Sequence, residues 1–275
     1  MIVLWIVLIV LIVLAVLWVF ALHCKRKQPG FFGLDDYHYA HRGLHAASHG
    51  IPENSLYAFR LAVTAGCGAE LDVHLSKDGR LVVMHDESLL RTTGVDRNIC
   101  DMTAAELDEL RLEGTNEKIP YLEQVLPLFS GKTPLIIEIK TVNNNHAELT
   151  SRVCRLLQEF PQVRFCMESF DPRVLLWLKR HRPKIVRGQL SCNFIKDRNN
   201  LPLPLAFLLT NLLTNFLTNP DFVAYKLEDR NGLSFRLCRK LWGVKEFNWT
   251  IRREEDADAA VRDDRGVIFE GFLPQ

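Results

Sequence analysis

Seven side chains in this sequence could do chemistry together: His41, Arg42, Glu70, Asp72, His85, Glu138 and Lys140. In AELDVHLSKDGRLVVMHD, residues 69–86, Glu70 and Asp72 alternate with Leu71, Val73 and Leu75. That period of two sends both carboxylates to one face of a strand. PLIIEIK repeats the pattern, with Glu138 and Lys140 two positions apart. Like charges at that spacing repel unless a cation, solvent or a basic partner lies between them. Three carboxylates around one point call for a hard cation that takes oxygen ligands, Mg²⁺ or Ca²⁺. Arg42 and Lys140 suit an anionic group, phosphate above all. His41 and His85, with ordinary pKa values near ~6.5, can trade protons close to neutral pH.

Each feature has a plainer reading. A single histidine at a strand end is more often structural, and Glu138 with Lys140 could be a surface pair. IIEIK is too apolar for a solvated face, however, and the coincidence of all seven favours chemistry. A metal, a phosphate clamp and two proton carriers describe the cleavage of a phosphodiester.

Elements at regular intervals must position these groups. YHYAHRG reads as a short strand running into a loop. PENSLYAFRLAVTAG reads as a helix with Asn54 or Ser55 as its cap, Leu56, Phe59 and Val63 on one face, and Gly66 at its end. GAELDVHLS and RLVVMHD are strands about a Lys77-Asp78-Gly79 turn. Residues 88–118 are polar and irregular, with a short helix at TAAELDELR. Strand and helix patterns then alternate to the last strand, GVIFEGF. Seven or eight such units predict an α/β chain folded as a (β/α)₈ barrel rather than an open doubly wound sheet. In a barrel, reactive groups collect at one rim, where strands end.

Met1–Leu22 carries no charged or polar side chain, and Trp5 and Trp18 lie near its ends. At ~1.5 Å per residue it reaches roughly 33 Å, enough for a single membrane crossing. A cleaved signal peptide would want basic residues before the apolar run, whereas Lys25, Arg26 and Lys27 follow it. The expected organisation is an anchor over 1–24, a linker over 25–36 and a catalytic domain over 37–275. The basic cluster predicts that this domain faces the cytoplasm. Seven scattered cysteines without a CxxC pair fit reduced thiols. A net charge of +1 leaves no basic footprint for nucleic acid. LPLPLAFLLTNLLTNFLTN is apolar but interrupted by Thr and Asn, and reads as a packed or interfacial helix rather than a second span.

The motifs resemble those of the glycerophosphodiester phosphodiesterase family. In order they are HRG at 41–43, PENS at 52–55, AF at 58–59, ELDVHLSKDGRLVVMHD at 70–86 and RTTG at 91–94, then IEIK at 137–140, SFD at 169–171 and WTI at 249–251. The resemblance covers the chain after the apolar segment. It implies a TIM barrel with a small insertion after the second strand, at residues 88–118. It also implies one divalent metal on Glu70, Asp72 and Glu138, and general acid and base roles for His41 and His85. Arg42 and Lys140 would contact phosphate, and Trp249 would line the substrate pocket. In this family the neighbouring glycerol hydroxyl is thought to attack phosphorus, giving a cyclic phosphate that water opens.

The tail departs from the family pattern. Arg252 stands where an Asn is common, and IFEGFLP replaces the usual acidic-x-Pro ending. These departures bear on the alcohol half of the substrate. Glu168, Lys226 and Glu270 are second-tier candidates, and His74 reads as structural. The substrate expected is a small or lipid-like phosphodiester, a glycerophosphodiester or a lysophospholipid. The rival from another class is an inactive membrane-tethered binding barrel, which would have lost at least one proton carrier or metal ligand.

Overall fold

The computed structural model describes residues 1–25, 33–198 and 201–274. Its strands are β1 His38–Ala40, β2 Gly68–Leu75, β3 Leu81–Val83, β4 Leu135–Ile139, β5 Phe165–Ser169, β6 Arg187–Ser191, β7 Phe222–Lys226, β8 Lys245–Ile251 and β9 Gly266–Phe269. Parallel pairing of β1 with both β2 and β9 closes eight of them into a (β/α)₈ barrel. β3 stands outside the ring, antiparallel to β2. Helices including Leu56–Thr64, Leu122–Phe129, His146–Leu157 and Pro172–His181 flank the strands.

The alternation in the sequence sets the layers. Leu71 and Val73 of β2 and Leu135 and Ile137 of β4 point outward and pack with Phe59, Leu122 and Val125. Tyr39, Ile136, Cys166, Phe222, Phe247 and Ile268 form a second cluster. Its aromatic rings fit because adjacent strands present glycine. A Cβ on Gly188 would lie 2.1 Å from the Phe222 ring, and one on Gly266 would lie 2.1 Å from Phe247. Gly188→Ala is therefore expected to lower stability by about 1–3 kcal/mol through overpacking. Chemical denaturation reads this as a fall in midpoint, and an unchanged midpoint contradicts it.

The excursion after β2 has an apolar nucleus of its own, built from Met84, Leu89, Ile99, Met102, Leu107, Leu112 and Ile119. Ser55 caps the helix after β1 by accepting from the Ala58 N–H, so of the two candidate caps the serine serves. The apolar stretch after β6 differs from a single helix. It divides into Leu203–Thr210 and Asn215–Thr218, with Leu212 in the left-handed region between them.

Ile2–Ala21 is one apolar helix, long enough to cross a membrane, and among the described residues one helix meets that test. Its last turn packs against the barrel wall. Leu22 and Cys24 are buried among Val223, Tyr225, Phe235 and Cys238, and Lys25 Nζ lies 2.7 Å from Asp221 Oδ1. The linker expected over 25–36 is thus packed at its described ends, since Leu34 is buried as well. Residues 26–32, which include Arg26 and Lys27 of the basic cluster, lie outside the described residues.

Candidate active site

The strand ends bring the reactive side chains to one rim. β2 carries Glu70 and Asp72, and β4 sets Glu138 in register with Asp72. One oxygen from each of these three acids lies within 4.8 Å of the other two. His41 directly follows β1, its N–H donating to the Phe269 carbonyl, and His85 follows β3. Both imidazoles, Arg42, Glu70, Glu138, Glu168, Trp249 and Glu270 line one cavity of about 340 Å³.

Each imidazole is held at Nδ1 by a carboxylate. Glu270 Oε2 lies 2.9 Å from His41 Nδ1, and Asp86 Oδ1 lies 2.5 Å from His85 Nδ1. An ionised carboxylate can only accept, so Nδ1 carries the proton and Nε2 keeps its lone pair. His41 Nε2 lies 4.0 Å from Glu70 Oε2. Burial lowers the His41 pKa below its ordinary value, and the Glu270 hydrogen bond opposes this only in part. That same hydrogen bond brings Glu270 down to about 2. His85 is lowered too, chiefly by burial.

Two basic groups neutralise part of the acid cluster. Lys140 Nζ lies 3.1 Å from Asp72 Oδ1 and 3.0 Å from Glu138 Oε1. The Arg42 backbone N–H donates to Glu70 at 3.1 Å, and its guanidinium donates to Glu53 at 3.1 Å. Arg42 Nε is buried without a hydrogen-bond partner among the described residues, and it lies 3.9 Å from Asp72 Oδ2. Burial favours the protonated form of Asp72, but Lys140, His85, Arg42 and the Asn54 amide hold it well below the usual carboxylate range. Glu70 is pushed far up by burial and by Asp72, Glu138 and Glu168.

The donor set fits a hard divalent cation. Glu70, Asp72 and Glu138 offer oxygen alone. Glu168, buried beside Glu138 in the register, has an Oε2 without a hydrogen-bond partner among the described residues. Burial and mutual repulsion raise Glu70, Glu138 and Glu168 above the ordinary carboxylate range, which a bound divalent ion would relieve.

The other sequence candidates take distinct places. Trp249 walls the cavity, its ring edge-on to Phe170 at 5.7 Å and its indole N–H donating to the Ala224 carbonyl. Lys226 pairs with Asp197 at 3.3 Å. Arg252 bonds to Glu270 at 3.1 Å, so the departure from the usual Asn steadies the acid that orients His41. His74 is buried, with Nε2 3.2 Å from the His85 carbonyl and its pKa lowered to about 4, mainly by burial. The SFD motif is a joint. Ser169 donates to the Ile139 carbonyl, and Asp171 caps the following helix.

Asp86 and Glu53 also belong to the site, although no motif assigns either a role. Arg91 ties the two together, with Nε 2.5 Å from Asp86 Oδ2 and Nη2 2.5 Å from Glu53 Oε1. The adjacency of His85 and Asp86 was the available signal. Asp86→Asn is expected to lower kcat at least tenfold through loss of imidazole orientation, with KM little changed. Steady-state kinetics measure this, and an unaltered kcat removes Asp86 from the arrangement.

A closed βα barrel whose rim gathers acids, imidazoles and basic side chains about one small cavity is suited to the hydrolysis of a phosphoric diester. The sequence model of the glycerophosphoryl diester phosphodiesterase family matches residues 41–265. The chain belongs to that family. It is 31% identical over 233 residues to a glycerophosphodiester phosphodiesterase of Caldanaerobacter subterraneus, covering 81% of this chain and 88% of the relative. A lysophospholipase D of Rattus norvegicus is 37% identical over 153 residues, which is 51% of this chain and 46% of that one. Among solved structures, a phosphodiesterase of Oleispira antarctica in complex with the product sn-glycerol-3-phosphate superposes with a TM-score of 0.69 at 26% identity. That match covers 85% of this chain and 92% of the other.

Proposed function

We propose that this enzyme hydrolyses glycerophosphodiesters, lysophospholipids among them, by two-histidine acid–base chemistry that depends on one Mg²⁺ or Ca²⁺. The observation that carries the reading is the pair of imidazoles, each fixed at Nδ1 by a carboxylate and each sharing a cavity with the acid cluster. Glu70, Asp72 and Glu138 would hold the cation, which when bound supplies positive charge against the phosphoryl oxygens. Arg42, with its free Nε, and Lys140 orient the phosphate. Trp249 lines the alcohol side.

One imidazole takes the proton of the attacking glycerol hydroxyl through Nε2, and the new O–P bond closes a cyclic phosphate. The P–O bond to the alcohol breaks, and the other imidazole, which enters the cycle as the imidazolium, gives its Nε2 proton to the departing oxygen. Water then opens the ring with the two roles exchanged. The head group departs as the alcohol and any acyl chain stays on the glycerol, so glycerol phosphate or lysophosphatidate is the product.

In this reading Ile2–Ala21 is a retained single-pass anchor and residues 37–275 are the catalytic domain on its cytoplasmic side. Its length, its apolarity and the basic residues after it support this. The intact proton carriers and acids weigh against an inactive binding barrel. The test is a panel of acylated and deacylated glycerophosphodiesters with and without divalent metal, in which released alcohol and phosphate-bearing product are both measured. Absence of turnover on every member would overturn the reading.

A further inference from the structure

A second, larger cavity of about 730 Å³ adjoins the active site. His85, Glu138 and Lys140 form one end of it, Glu87, Thr141, Asp171 and Arg173 add polar groups, and Phe170, Phe194, Leu201, Leu205 and Leu209 form an apolar wall. That apolar wall suits a hydrocarbon chain. Three of its leucines lie in or just before the helix Leu203–Thr210, and Leu205 is 39% exposed. One helix thus contributes to the cavity wall through Leu205 and Leu209 and to the exposed apolar surface through Leu203, Phe207 and Leu208.

That surface is unusual for a face turned to water. Residues 201–220 contain no charged side chain. Leu203, Phe207, Leu208, Phe216 and Leu217 are each about 40% exposed or more. A contiguous apolar patch of this sort marks contact with a partner or a membrane. The N-terminal helix identifies which. Ile2–Leu14 is exposed along the whole helix face, but its end docks on this same patch, with Trp18 edge-on to Phe207 at 5.8 Å and Phe20 at 5.9 Å from Phe216. Trp18 Nε1 also donates to Ser234 Oγ, and Trp242 Nε1 donates to the Val19 carbonyl. The span and the patch are thus fastened to one another without slack. Wherever the helix leaves the bilayer, Phe207 and Phe216 are at the interface.

We propose that residues 201–218 are a second membrane contact, lying in the interface beside the anchor, and that they hold the mouth of the apolar cavity there so that it takes the aliphatic chain of a membrane-resident phosphodiester. The proposal rests on the reading of the chain as an anchored phosphodiesterase. Its substrate is a single-chain amphiphile, with the phosphate at His85 and Lys140 and the chain running past Phe170 toward Leu205. The apolar face lets the substrate enter from the bilayer without first desorbing into water.

The test uses the full chain reconstituted in phosphatidylcholine vesicles. Leu208→Asp with Phe216→Asp places charge on the patch away from both cavities. Turnover of vesicle-borne lysophosphatidylcholine is expected to fall at least about tenfold, as charge weakens interfacial insertion. Turnover of water-soluble glycerophosphocholine stays within about twofold, which also shows that the variant is folded. Equal losses on both substrates, or no loss on vesicles, would overturn the membrane contact. In detergent micelles, Leu205→Trp is expected to slow long-chain lysophospholipids more than short-chain ones, and equal slowing would overturn the chain-binding cavity. A wild-type protein inactive on both substrates would instead remove the phosphodiesterase reading. Release of the wild type from vesicles by alkaline carbonate would remove the anchor.

Discussion

His41→Ala is expected to leave a folded barrel with its turnover reduced about 10²–10⁴-fold, the range a positioned proton carrier contributes. Folding survives because the side chain lies at the rim, after β1 has made its ladder with β9 through Tyr39 and Ala40. The loss is large because His41 Nε2 faces the acid cluster, while Glu270 keeps Nδ1 protonated. Circular dichroism and a thermal melt check the fold, and kcat with a soluble glycerophosphodiester checks the role. An unchanged kcat would remove His41 from the reaction. The wild-type pH profile adds a reading of the imidazole pair. Burial lowers the pKa of both His41 and His85, so whichever acts as base stays neutral below its ordinary titration range near ~6.5. The acidic limb of kcat/KM is accordingly expected below that value, and a limb above it would contradict a buried imidazole base.

Removal of divalent metal is the other large effect. A chelator is expected to abolish activity, and Mg²⁺ or Ca²⁺ to restore it, because Glu70, Asp72 and Glu138 otherwise repel across less than 4.8 Å. The structural consequence is measurable without turnover. At 100 times its Kd a bound ion stabilises the native state by about 2.7 kcal/mol, a rise in Tm of roughly 5–10 °C for a domain of this size. Asp72→Ala is expected to erase that rise along with the activity. The affinity also has a direction with pH. Burial, then the neighbouring Asp72 against the pull of Lys140, brings Glu138 up to about 7. The metal-free protein therefore retains a proton that the ion must displace, and binding strengthens as pH climbs through that value. A shift in Tm that is the same at acid and alkaline pH would contradict this coupling.

How much of this was legible in the chain follows the range of the interactions involved. Alternation in ELDVHL and LIIEIK is local, so the common face of Glu70 and Asp72, and of Glu138 and Lys140, could be read directly. The rhythm of strands and helices led to a barrel, and the Lys77-Asp78-Gly79 turn folded β3 back on β2, with Gly79 at positive φ. Asp86 beside His85 was visible but carried no assignment, because adjacency in sequence does not show that a neighbour's oxygen reaches the ring.

Closure of the barrel supplied the rest. His41 and Glu270 are separated by 229 positions and become partners because β1 lies against β9. Lys140, expected to contact phosphate, sits between Asp72 and Glu138 because β2 and β4 are adjacent. The same holds for the end of the N-terminal helix, which composition marks as apolar but cannot seat against Phe207 and Phe216. Residue types and their periodicity establish which groups are present and which way each strand turns them. Which of those groups meet depends on contacts between distant segments, and these exist only once the sheet has closed.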